Sequence, residues 1–109
     1  MKTKQRRINM KKSELIHLVN QNDFYSIWEF KYEICGSFDG FMLIAENVNV
    51  QHYENYVTAV NIYECDDGLV GVSGVFDKND NVKDYHDIGI TCNACEYEAF
   101  QTVSYQPKN

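Results

Sequence analysis

Cysteine, histidine and carboxylate side chains are the groups here that could hold a metal, move a proton or attack a carbonyl. The 109-residue chain has four cysteines and three histidines. Cys92-Asn-Ala-Cys95 has the C-x-x-C spacing of a zinc knuckle, while Cys35 and Cys65 each stand just before a turn cluster. If consecutive strands run alternately up and down, the turns after Cys35, Cys65 and Thr91 fall on one edge of a sheet. All four thiols then sit along that edge, as a candidate tetrahedral zinc site. Distance resists this arrangement. Thiols two strands apart are separated by roughly 10 Å at a ~4.8 Å strand spacing, whereas Zn–S bonds are about 2.3 Å. The plainer reading is that these are small hydrophobes in a core. A redox role would want a βαβ unit beside the C-x-x-C, and Glu96 and Glu98 would raise a nearby thiol pKa.

Asp77-Lys-Asn-Asp-Asn81 matches the opening of a calcium loop, but Val82 replaces the glycine and Ile88 the closing glutamate. Self-bonding turn formers explain it better. His17, His52 and His86 are scattered. Asp84-Tyr-His86-Asp87 does bring carboxylates to an imidazole, which keeps a small enzyme built on His86 as an alternative. Ser73 and Cys95 are the nucleophiles such an enzyme could recruit, yet Gly71-Val-Ser-Gly74 lacks the G-x-S-x-G spacing of a nucleophile elbow. No Gly-rich phosphate loop is present.

Charge is distributed unevenly. The formal net charge is −6, but residues 1–12 carry six basic groups (Lys2, Lys4, Arg6, Arg7, Lys11, Lys12) and no acid. The rest of the chain carries four basic groups against all sixteen acids, a net −12. An anionic body repels nucleic acid and anionic lipid and attracts basic protein surfaces. No apolar run approaches the ~20 residues of a membrane span, and no apolar segment follows the basic N-terminus as in a signal peptide. The expectation is therefore a cytoplasmic chain with no membrane and no direct nucleic-acid partner, its thiols reduced. Met10 is a second candidate start.

The elements that must position these groups come from periodicity. Ser13 is a candidate N-cap for a helix to about Asn22, with Leu15, Ile16, Leu18 and Val19 as its buried stripe. Trp28, Phe30, Tyr32 and Ile34 alternate with polar residues, which reads as a strand. Phe41–Glu46 is its returning partner, Asn47–Asn55 a loop, and Tyr56–Cys65 the next strand. Asp66-Asp67-Gly68 is a tight hairpin turn. Leu69–Phe76 follows, with Gly71 and Gly74 marking a bulge or a close backbone approach. After the turn at 77–81, Tyr85–Thr91 reads as a strand. Residues 94–105 fit either strand or helix, and the alternation of Cys95, Tyr97 and Ala99 favours a strand.

The expected fold is α+β: a short N-terminal helix packed on a five- or six-stranded antiparallel meander. Residues 1–12 form a flexible basic arm and 13–109 a single acidic domain. The expected function is non-catalytic protein binding with no cofactor. In its sharpest form it is a small acidic inhibitor, of immunity-protein or anti-defence type, that mimics a nucleic acid in the basic groove of a nucleic-acid-handling enzyme. The residues expected to meet that basic surface are Asp66, Asp67, Asp77, Asp80, Asp84, Asp87, Glu96 and Glu98, with Tyr63, Tyr85 and Tyr97. The alternatives are the zinc-stabilised domain and the small enzyme described above.

Overall fold

In a computed structural model of the chain, the residues described are 8–35, 40–54, 56–76, 88–99 and 105–108. Two helices, α1 (Lys12–Gln21) and α2 (Ile27–Cys35), precede β1 (Met42–His52), β2 (Val57–Cys65), β3 (Gly68–Val75) and β4 (Asn93–Ala99). The four strands lie antiparallel in sequential order, and a three-residue segment, Tyr105–Pro107 (β5), pairs beyond β4. The class is α+β.

The N-cap of α1 is Lys11 rather than Ser13. Glu14 accepts the Lys11 backbone N–H at 2.8 Å, so the carboxylate of the third helical residue reaches back to the N-cap donor. The expected stripe holds: Leu15 and Val19 are fully buried, with Ile16 and Leu18 packed beside them. Asn20 then acts as a piece of strand. Its side-chain amide donates to the Ala94 carbonyl at 3.3 Å and accepts the Ala94 N–H at 2.9 Å. That satisfies the stretch of β4 which β5, paired only with Tyr97–Ala99, leaves open.

The segment read as the clearest strand is a helix. Phe24, Ile27 and Phe30, spaced by three, are buried, whereas Trp28 and Tyr32, spaced by four, face outward. The local cap decides for a helix: the Glu29 N–H donates to Ser26 Oγ at 3.0 Å, and the Glu29 carboxylate accepts the Tyr25 N–H at 2.7 Å. Ser26-Ile-Trp-Glu29 is thus a capping signature standing in the sequence, and it outranks the accidental alternation.

Phe24, Phe30, Phe41 and Tyr63 meet edge to face, with centroids 5.4–5.5 Å apart, at the centre of the core between helices and sheet. Beneath, the opposite face of the sheet buries Val60, Ile62 and Tyr97. β1 makes this second cluster possible. Instead of ending at Glu46 it runs to His52, with three register irregularities and left-handed backbone at Asn47 (φ 55°) and Asn49 (φ 50°). Asparagine tolerates that conformation, and such bulges bend a strand. The Asn47 N–H is held by Asn61 Oδ1 at 3.0 Å. Of the residues expected to be a loop, 47–52 are therefore a bulged strand.

The Asp66-Asp67 turn joins β2 to β3 as expected, with Cys65 opposite Gly68. The turn at 77–81 lies outside the described residues, as do the first three residues of the strand expected at 85–91. Residues 88–91 form no strand, and Gly89 has a left-handed φ of 77°, which breaks an extended run. The C-terminal segment is extended, as favoured, from Asn93 to Ala99 and again from Tyr105.

Candidate interaction surface

The β2–β3 turn brings some of the expected acids together and gives them partners. Met10 is stitched between Gly40, whose carbonyl takes its N–H at 2.9 Å, and Asp66, whose N–H donates to the Met10 carbonyl at 2.8 Å. This carries the last basic residues of the N-terminal segment onto the turn. Lys11 Nζ donates to Asp66 Oδ2. The Lys12 N–H donates to Asp67 Oδ1 at 2.8 Å, and Lys12 Nζ reaches across to Glu96 Oε1 on β4 at 2.7 Å. The Lys12 hydrogen bond holds the Glu96 carboxyl below its ordinary range, and the Lys12 backbone N–H does the same for Asp67. Lys11 and Lys12 are raised in turn, chiefly by their hydrogen bonds to Asp66 and Glu96. The acidic corner is thus largely engaged from within the chain.

The remaining expected contacts divide. Glu98 is exposed on β4. Tyr63 is fully buried at the centre of the aromatic core, so it presents no surface to a partner. Tyr97 is 8% exposed, its ring lying across Gly71, and the Asn49 side chain hydrogen-bonds its phenol, whose pKa burial nonetheless raises. Asp77, Asp80, Asp84, Tyr85 and Asp87 lie outside the described residues, as does His86.

The shared cysteine edge does not form. Cys65 pairs with Gly68 at one end of β3, whereas Cys92 Sγ lies against Gly74 at the other. Six residue steps along the strand separate the two glycines, roughly 20 Å. Consecutive strands do alternate in direction, but the segment ending at Cys35 is a helix, and the last long strand begins at Asn93 beside Ser73, not at the Gly68 end. Cys92 and Cys95 also part company: Cys92 packs in the core beneath the helices and Cys95 against the cluster on the opposite face. Three residues along an extended chain reverse the side-chain direction. Desolvation pushes the Cys65 thiol up to about 11 and the Cys92 thiol up to about 12, so both are poor nucleophiles and poor ligands. Among the described residues no three His, Cys, Asp or Glu side chains gather as a metal site. Ser73 Oγ donates to the Asn93 carbonyl at 3.2 Å, a contact within the sheet.

What sequence reasoning missed lies on α2. Trp28 and Tyr32 are 39% and 70% exposed, and their rings stack with centroids 5.4 Å apart and planes 21° from parallel. Lys31 Nζ sits 5.3 Å from the Trp28 ring centroid and also bonds Glu46 Oε2 on β1 at 2.8 Å. Trp28 and Lys31 line a shallow groove with Ile27, Glu46, Asn47 and Phe76. The i, i+4 spacing of the two rings becomes a signal once Ser26 and Glu29 are read as a cap.

No family model, curated protein or solved structure matches this chain. Its function must be argued from this geometry. Among the described residues no helix is long and apolar enough to cross a membrane.

Proposed function

We propose that this protein is a non-catalytic protein-binding module that docks a basic surface of a partner protein. The observation that carries the reading is the outward Trp28–Tyr32 stack on α2. Two large aromatic side chains ordered in solvent, already locked against each other, lose little freedom on binding and match the residues that dominate interface energetics. The contact of Lys31 with the Trp28 ring is an intramolecular instance of the chemistry such a face offers a cation. The chain's net charge of −6 steers basic partners toward it. In the finer form of this reading the partner is a nucleic-acid-handling enzyme, and the protein is its acidic inhibitor.

Affinity capture with matched baits tests the reading. Wild type is expected to retain a basic protein that salt elutes and that a Trp28→Ala/Tyr32→Ala bait fails to retain. Equal retention by both baits, or a captured protein that is itself acidic, contradicts it.

A further inference from the structure

We propose that the groove beside Trp28 is a seat for one arginine side chain of the basic partner, and that Lys31 of this chain fills it until the partner's guanidinium displaces it. This rests on Trp28 belonging to the docking face, and adds what that face receives. α2 supplies Ile27, Trp28 and Lys31, β1 supplies Glu46, β2 supplies Asn61, and Phe76 follows β3. The space between them is about 240 Å³, below the roughly 300–1,000 Å³ of a small-molecule pocket, so a single side chain is the unit that fits.

What the groove already holds sets the chemistry of its occupant. Lys31 Nζ lies 5.3 Å from the Trp28 ring centroid and bonds Glu46 Oε2 at 2.8 Å, so a ring face and a carboxylate converge on one cation. Ile27 and the half-buried Phe76 add apolar surface for the methylene stem of a long basic side chain. Asn61, buried beneath, accepts the Asn47 N–H at 3.0 Å and so fixes the β1 bulge next to Glu46.

Lys31 is a weak incumbent. Its side chain is 33% exposed and that of Glu46 45%, and ion pairs so open to water add little stability. A partner lysine would replace like with like and gain nothing. An arginine gains twice: its planar fork takes both oxygens of a carboxylate where an ammonium makes a point contact, and its flat face stacks on an indole. The exchange of one cation for another keeps Glu46 compensated while Lys31 moves into water.

NMR titration of the full chain with an arginine-rich peptide and a lysine-rich peptide of equal length tests this, the Lys31 side chain being followed in the same spectra. Wild type is expected to bind the arginine peptide at least about fivefold more tightly than the lysine peptide. Lys31→Met is expected to raise arginine-peptide affinity about three- to fivefold beyond Lys108→Met, at an exposed lysine whose loss changes the net charge equally. Adding Glu46→Gln to Lys31→Met should abolish that gain with the backbone spectrum otherwise unchanged. The Lys31 ε-methylene protons, shielded by the indole ring, should move to their values in water at saturation. Equal affinity for the two peptides, equal effects of the two lysine variants, a gain that survives Glu46→Gln, or unmoved Lys31 resonances overturn the proposal. In any of those cases binding that Tyr32→Ala still weakens leaves the docking face standing without the arginine seat. Absence of binding by wild type and Lys31→Met alike overturns both.

Discussion

A Cβ placed on Gly71 would lie 2.3 Å from Cε1 of Tyr97, closer than any real contact, so the ring occupies the space that a side chain would need. Gly71 and Gly74 read in the sequence as a bulge or a close backbone approach, and both have the close approach: Gly74 meets the Cys92 sulfur as Gly71 meets Tyr97. Gly71→Ala is expected to cost about 1–3 kcal/mol in urea unfolding, as overpacking usually does. In a Tyr97→Ala background most of that cost should vanish, a coupling that a double-mutant cycle reads directly. Additive losses would show that the ring is not what forbids the methyl group. Tyr97 itself was expected at an interface. Alternation along β4 gives its side of the strand, but not that the curl of β1 would bring Asn49 over and close that face.

At the scale of elements, capping outweighed alternation. Trp28, Phe30, Tyr32 and Ile34 satisfy a period of two, and nothing in that pattern excludes a helix whose buried positions are Ile27 and Phe30. The first helix, the β2–β3 hairpin and the extended C-terminal segment were legible because each has redundant signals: a buried stripe, an Asp-Gly turn, a run of alternating residues. β1 was legible only in its first half, since its second half bulges at asparagines that read as loop.

The joint between α1 and β4 makes its own prediction. Glu96 and Asp67 have folded pKa values below their ordinary 4.5 and 3.8, so their contribution is present above those values and is lost as pH falls through the lower folded ones. Lys12→Met removes the partner of Glu96 but keeps the backbone N–H that serves Asp67. At neutral pH the variant should melt roughly 1–5 °C below wild type, the scale of a partly exposed ion pair in a domain this size. That gap should close in acid as Glu96 protonates, while the Asp67 dependence persists in both proteins. A gap unchanged down to pH 2–3 would mean that the lysine acts through packing of its stem alone.

For the whole molecule, the uneven charge seen in the sequence resolves into a corner where Lys11 and Lys12 meet Asp66, Asp67 and Glu96. The expected docking acids are therefore partly engaged already, and the burden of recognition shifts to the stacked aromatics of α2. Composition could disclose the net charge and the number of tyrosines. It could not disclose that Tyr63 would be consumed by the core while Tyr32 stays outside, because that depends on which residues of α2 face the sheet.

Trp28 is the sole tryptophan, so its emission reports on the proposed surface without interference. Titration of the full chain with an arginine-rich peptide is expected to give a saturable change in that emission. The response should weaken as salt rises, and the apparent affinity should fall at least about fivefold in Tyr32→Ala. No change up to about 1 mM peptide, or an equal response to a glutamate-rich peptide of the same length, would contradict a cation-accepting aromatic face.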